Sequence, residues 1–475
     1  MRYRYDGTIT VFLSLILTIM LSVIMGMTES AAYAASRMKC ELATDMSLES
    51  VFAEYNRELL DRYDLYFIDT SYGGGSPSLG ELKEHMEDYI SYNIDPSKGT
   101  LSLISPADFT ALRLDSLDIV EASYASDAAG RVFKRQAIQA FEDMHGVSMA
   151  KALAEKTRNL ISDYDGSGIE DERPDEYRAE LEEKLNGLDY KVSENPARNA
   201  FDDREGILRH VMNTKGVSGK TIDAATLISH RSINKGTGLH GGTLDTESTL
   251  SELMFDEYLM DKCDSYTDEN TDGGADYELE YILYGRNTDK ANLREAVEKL
   301  MLLRYGADAL YIFTDSEKRE SVKVIALIIC ALLFMPDMTD ALTDLILLAW
   351  AYGESVSDVV RLLAGERVPL MKNREDWKMP LWGLIAIKAN ARPTGQKGSG
   401  FSYEDYLRVF LFAENKTTKC MRAMDIIEMN LRQTDGNKSF RMDGCVEYVS
   451  MTATMTSRGR YGLTIDRKMS YQSDF

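Results

Sequence analysis

Several stretches of this chain carry residue types that do chemistry elsewhere, and each can be tested on its spacing. Thr214-Lys215-Gly216-Val217-Ser218-Gly219-Lys220-Thr221 resembles a loop that cradles phosphate in backbone N–H groups. That pattern needs Gly at its first position, where this chain has Thr214, so an exposed turn is the ordinary reading. Two acidic loops resemble calcium loops. Asp268, Asn270, Asp272, Gly273 and Asp276 fit positions one, three, five, six and nine, as do Asp163, Asp165, Ser167, Gly168 and Asp171. Both lack the bidentate carboxylate at the twelfth position, occupied by Leu279 and Pro174, so any calcium site there is weak and a solvated acidic loop is the alternative. Glu278 and Glu280 form a carboxylate pair suited to acid–base work. Tyr277, Tyr281 and Tyr284 around them read instead as a packed amphipathic segment. His85, His145, His210, His230 and His240 show neither HxH nor HExxH spacing, which gives zinc or a histidine triad no support. His230 and His240 flank a Gly-rich stretch read as a surface loop. No catalytic, cofactor-binding or metal-binding residue is assigned, and no cofactor or enzymatic activity is expected.

Composition narrows the partners. The 475 residues include 77 acidic and 54 basic side chains, a net charge of -23. Phosphate backbones need a basic footprint, so a nucleic-acid partner is not expected. Cys40, Cys263, Cys330, Cys420 and Cys445 show no paired spacing, and their odd number leaves at least one thiol free. A disulfide framework is therefore not expected.

The clearest element is near the N-terminus. Ile9 to Met27 is a run of 19 uncharged residues, about 28 Å of helix, close to the thickness of a bilayer's hydrocarbon. Arg2 and Arg4 precede it, and Glu29 is the first charge beyond it. The positive-inside rule places the N-terminus in the cytoplasm and the bulk of the chain outside. Ala32-Tyr33-Ala34 has the small-x-small form of a signal cleavage site, but the apolar run exceeds the usual length of such a signal. Helical spacing of Ala35, Met38, Leu42 and Met46, then Leu48, Phe52, Tyr55 and Leu59 after a phase shift, continues the pattern. One helix of roughly 50 residues is expected. Inside the anchor, Thr10, Ser14, Thr18, Ser22 and Gly26 lie four apart, and Ser30 and Ala34 extend the row. Small residues on such a ridge let a second transmembrane helix approach closely, in another copy or a partner protein.

Beyond the anchor the chain reads as α+β, with a mixed helix and strand ectodomain. The expected segments are 1–28, cytoplasmic tip and anchor; 29–70, continuation of the long helix; 71–162, an α/β stretch; 163–205, an acidic linker or lid; and 206–316, mixed α/β. An apolar helical hairpin over 317–366 and a C-terminal helix with a β-hairpin over 367–475 complete them. Within these, 101–125 reads as strand-rich and 127–162 as helix. Asp289 is expected to cap a helix that Gly306 stops. Ser321–Met335 and Thr339–Ala364 form a hairpin around Pro336-Asp337, and 322–335 is too short to span a membrane. Burial in a core is expected, with a re-entrant or multi-pass membrane segment as the alternative. Phe440–Met455 and Tyr461–Tyr471 alternate like strands about a turn at Ser457-Arg458-Gly459-Arg460.

The N-terminal stretch GTITVFLSLILTIMLSVIMGMTESAAYAASRMKCELATDMSLESVFAEYNRELLDRYDLYFID resembles the TadE/TadG-like proteins of tight-adherence pilus systems. It looks closest to a large uncharacterised family of them in Gram-positive anaerobes. The resemblance continues through YELEYILYG, ILLAWAYGESVSDVVRLLAGERVPLMK and SYEDYLRVFLF. It implies a membrane-anchored, minor pilin-like or assembly-associated protein with other pilus-system or envelope proteins as partners. An anchored surface hydrolase is the rival. Pilin-type precursors are cut after a Gly that precedes the apolar run, which makes Gly7 the candidate processing position. The fifth residue of such a mature chain is usually Glu, and here it is Phe12.

Overall fold

A computed structural model describes residues 6–95, 110–166, 206–212, 216–241, 244–268 and 273–472. The chain divides into two compact units. The first comprises Met1–Gln136, Ile233–Leu244 and Gly436–Phe475; the second comprises Ala137–Ser232 and Asp245–Asp435. The fold class is α+β, as the sequence led us to expect.

The first unit is built on α1, Asp6–Phe52, a single 47-residue helix. It holds no proline and only two glycines, Gly7 and Gly26, so nothing in its interior breaks the hydrogen-bond ladder. It stops at Phe52, short of the continuation to 70 that its apolar spacing suggested. There Tyr55 bridges Ile68 and the Asn56 N–H donates to the Phe67 carbonyl (2.9 Å). The phase shift in the apolar pattern marks this break. Asn56 caps α2, Arg57–Tyr63, which ends on the left-handed residue Asp64. Strand β1, Ile68–Asp69, helix α3, Leu79–Ile94, and strand β2, Leu112–Tyr124, follow. Helix α4, Asp127–His145, belongs to this unit as far as Gln136.

Strands β3, Cys445–Ser457, and β4, Tyr461–Ser470, form the expected hairpin, turning on left-handed Arg458 and Gly459. All pairings are antiparallel, with β3 central: it pairs with β1, β2 and β4. Along β3, Val449, Met451, Ala453 and Met455 alternate inward onto a core that takes Cys40, Ala43, Leu48 and Val51 from α1 and Leu82, Met86 and Ile90 from α3. The buried stripe of α1 is thus Ser36, Cys40, Ala43, Ser47 and Val51. The stripe legible in the sequence, Ala35, Met38, Leu42 and Met46, faces outward. The two have the same helical spacing, so periodicity alone could not say which one meets the sheet.

The Gly-rich stretch read as a surface loop is bonded into this unit. Gly236 N–H donates to Asp127 Oδ1 (2.9 Å), Thr237 N–H to the Ala122 carbonyl (2.8 Å), and Arg135 to the Gly241 carbonyl (2.5 Å). A side chain at Gly236 would place its Cβ 2.3 Å from the Ala122 carbonyl oxygen, so only glycine lets the strap lie this close.

The second unit is helical. After α5, Val147–Gly166, come α6, Gly206–Val211, α7, Thr249–Lys262, α8, Glu278–Tyr284, and α9, Asp289–Thr314. The expected helix 127–162 is broken at Gly146, which is left-handed. Thr288, not Asp289, caps α9, and the helix runs through Gly306 to Thr314. Burial of Ala307, Ala309 and Ile312 offsets the roughly 1 kcal/mol that a helical glycine costs.

Helices α10, Ser316–Leu332, and α11, Thr339–Leu363, form the hairpin about a 3-10 turn at Pro336–Met338. The expected burial holds for α11, which encloses Leu347, Ala351, Val356 and Val359, and for one face of α10, Val322, Ala326 and Cys330. The other face of α10 and the tip lie open: Leu327, Ile328, Leu332 and Phe334 are exposed, Phe334 by 91%. Helices α12, Ile387–Asn390, α13, Tyr403–Ala413, and α14, Lys416–Leu431, complete the unit. Ser402 and Asp405 start α13 with a reciprocal capping box.

Candidate functional site

Among the described residues, α1 is the one helix long and apolar enough to cross a membrane, and its span is unburied. Every side chain from Ile9 to Met27 is exposed, while burial begins at Ser36. The row Thr10, Ser14, Thr18, Ser22, Gly26 lies on this surface. Three of its hydroxyls donate back into the helix: Ser14 to the Val11 carbonyl (2.8 Å), Thr18 to Ser14 (2.7 Å) and Ser22 to Ile19 (2.8 Å). Donors satisfied within the helix remove most of the cost of placing a hydroxyl in hydrocarbon, and the oxygen lone pairs remain as acceptors. A Cβ added at Gly26 would meet nothing within 4 Å. The candidate processing residue Gly7 lies in the first turn of α1.

Each step of four residues advances about 40° around a helix, so the row winds, and a straight partner meets three of its members at once. A right-handed crossing near −40° follows such a ridge. Thr18→Leu and Ser22→Leu are expected to weaken association of the anchor about 3- to 30-fold, the range of about 0.6–2 kcal/mol measured for such contacts. Ile16→Leu and Ile19→Leu should leave it unchanged. Crosslinking in membranes reads the difference, and equal effects from both pairs would make the row merely tolerated polarity.

The chemistry-bearing residues of the second unit are turned inward onto protein. Lys220 of the phosphate-loop-like stretch donates to Asp276 Oδ1 (2.6 Å) and to the Gly273 carbonyl (3.0 Å), and Thr221 bridges Thr288 instead of opening a helix. Asp268 accepts from the Ser265 backbone and hydroxyl (2.7 and 2.9 Å). The two described carboxylates of that calcium-like loop therefore have protein partners. Asp163 and Asp165, read as the start of the second acidic loop and linker, lie in the last turn of α5, while the rest of both, 167–205, and residues 269–272 lie outside the described residues. No group of three or more His, Cys, Asp or Glu among the described residues could hold a metal ion.

Glu278 and Glu280, on α8, are both buried. Glu278 accepts from Asn430 (2.6 Å) and the Asp264 N–H (3.1 Å). Glu280 accepts from the Tyr403 hydroxyl (2.6 Å) and the Tyr266 N–H (3.0 Å), while its other oxygen has no partner. Burial pushes its carboxyl up to about 7 against the lowering effect of those two donors. Asp425, on α14, accepts from Ser229 and from the Tyr281 hydroxyl (3.0 Å), and burial raises it to about 6. These groups hold α8, α13 and α14 together. The Glu280 side chain is fully buried.

The sequence reading missed a larger cluster. Lys372 reaches Glu354, Asp358 (2.8 Å) and Asp308 (3.4 Å); Arg304 grips Asp358 (2.6 Å) and approaches the Tyr406 hydroxyl (3.3 Å). All five charged side chains are at most 1% exposed. Burial raises Asp308 far above the usual carboxylate range, because Lys372 and Arg304 stand farther from it than from Asp358. Asp358 is held low by Lys372 and Arg304 in spite of its burial. Asp308 and Asp358 are thus shifted in opposite directions within one cluster. The apolar, β-branched run of α11 conceals Glu354 and Asp358 one turn apart on its inner side. That i, i+4 spacing was the available signal.

Fold and site together define an α+β protein carrying one N-terminal helix able to cross a membrane. A family of unknown function (DUF5702) has a model that matches residues 189–457, more than half of the chain, and the chain belongs to that family. No curated protein and no solved structure matches it.

Proposed function

We propose that this is a single-pass membrane protein with its N-terminus in the cytoplasm and its bulk outside, serving a structural or assembly role in a tight-adherence, type IV pilus-like system. The observation that carries the anchoring is the continuity of α1. One unbroken helix passes from 19 exposed, uncharged residues into the core of a sheet-bearing unit. A rigid helix shared between lipid and core transmits orientation, which a flexible tether does not. The Tyr33 ring packs edge-on against Tyr461 (5.5 Å), and Ser36 bonds Ser457 (2.8 Å), so retention of the segment around Ala34 preserves the docking of helix on sheet. The pilus setting rests on the resemblance of the first 70 residues to TadE/TadG-like proteins. The enclosed carboxylates of the second unit favour a structural role over the hydrolase reading.

The five native cysteines are buried, so an impermeant thiol reagent has a clean background. Lys397→Cys, on an exposed loop, should label on intact cells and Tyr5→Cys should not. Labelling of the Tyr5 position alone overturns the orientation. Loss of surface filaments on deletion of the gene is expected, and normal filaments would remove the pilus assignment.

A further inference from the structure

The β3–β4 turn stands beside α1 just past the apolar span. Glu29, two residues beyond Met27, accepts from the Tyr461 hydroxyl (2.5 Å) and lies 3.8 Å from Arg460, while Tyr33 meets the Tyr461 ring at 5.5 Å. At 1.5 Å per residue, Glu29 to Tyr33 occupy a layer about 3–9 Å beyond the end of the hydrocarbon. The polar headgroup layer on one side of a bilayer is about 5–8 Å thick. The turn Arg458-Gly459-Arg460 is exposed, and Arg460 is 75% open. Arg460 stands beside Glu29, and Arg458 is exposed on the same turn, in a chain whose net charge is -23. Tyr33 and Tyr461 supply the amphipathic rings that favour this depth.

We propose that this turn is a lipid-binding site: Arg458 and Arg460 engage the phosphates of anionic lipid headgroups and so fix the tilt and rotation of the anchor. The inference rests on the anchoring reading above. Tilt and rotation of a spanning helix are set by packing and by interfacial Tyr and Arg, and here the arginines are supplied by a strand turn some 430 residues away in sequence. They reach the surface only after folding, so they do not compete with Arg2 and Arg4 in setting topology during insertion. Guanidinium forks bind phosphate oxygens in pairs, and in an anionic lipid no choline ammonium offsets the phosphate charge.

The test uses the full chain in nanodiscs of phosphatidylcholine with increasing phosphatidylglycerol. Spin labels go on Gly462→Cys, an exposed position with no atom near a new Cβ, and separately on Ser14→Cys. Access of oxygen and of a neutral nickel chelate reports depth. The Ser14 label should sit in hydrocarbon in every lipid. The Gly462 label should lose access to the chelate as phosphatidylglycerol rises. R458Q/R460Q should shift that titration to higher phosphatidylglycerol, about fivefold for each arginine, and R458K/R460K should restore most of it. A water-exposed Ser14 label defeats the anchoring reading itself. A Ser14 label in lipid with a Gly462 label open to the chelate overturns this proposal alone. So does shielding that ignores phosphatidylglycerol and survives in R458Q/R460Q.

Discussion

Lys372→Met is expected to destabilise the second unit by about 3–5 kcal/mol, because it strands buried carboxylates that have exchanged water for this one ammonium. Lys372 is 1% exposed and lies against Glu354, Asp358 and Asp308. Burial alone would lower its pKa, but those carboxylates outweigh it and hold it charged. Without it, Arg304 remains to balance Asp358, and Glu354 keeps only the backbone donors of Lys378 and Met379. The reporters are in place. Trp350, Trp377 and Trp382 are the chain's three tryptophans, all in this unit, and the Trp350 and Trp377 indoles both donate to the Met379 carbonyl (2.7 and 2.9 Å). Denaturation of the full chain in detergent, followed by tryptophan fluorescence, should show the loss, and adding Glu354→Gln should recover part of it. A loss below about 1 kcal/mol would mean that water or a shifted side chain already neutralises the cluster.

Glu280→Gln should flatten the pH dependence of the same transition. A glutamate in the unfolded chain titrates near 4.3, and in the folded protein burial brings Glu280 up to about 7. Between these values the folded state holds a proton that the unfolded state has released. The stability that Glu280 contributes is therefore fully present at or below about pH 4.3 and is lost as pH rises toward 7, in total on the order of 4 kcal/mol. Asp425, raised to about 6, adds a fall of the same sign that ends earlier. The interval from pH 6 to 7 isolates Glu280: the native chain should lose about 1 kcal/mol more there than the Gln variant. Gln keeps the acceptor for Tyr403 and the Tyr266 N–H, so the fold should persist. Identical slopes in the two chains would place the Glu280 proton elsewhere.

Both effects depend on groups that the chain brings together from far apart, and this separates what was legible in the sequence from what was not. The long apolar N-terminal helix was legible because length, charge and composition act locally: 19 uncharged residues form a helix that water does not favour, whatever follows. The β3–β4 hairpin and the α10–α11 hairpin were legible for the same reason, since alternation, helical spacing and the turn residues lie within each segment. Caps were read less well. Thr288 and Asp289 are both good candidates, and only the bonds from Asp289 to Ser218 and Asp276 show why Asp289 turned inward. Which stripe of α1 is buried was decided by the sheet, whose face accepts Ser36, Cys40 and Ala43 and leaves Met38 and Leu42 outside. The first unit draws on three separate stretches of chain and the second on two. The Lys372 cluster takes its members from positions 304 to 372, and the Arg turn reaches Glu29 from position 460. Spacing along a chain reports neighbours within one element. Desolvation and charge pairing are set by whatever the fold places opposite, and that partner is chosen by tertiary structure alone.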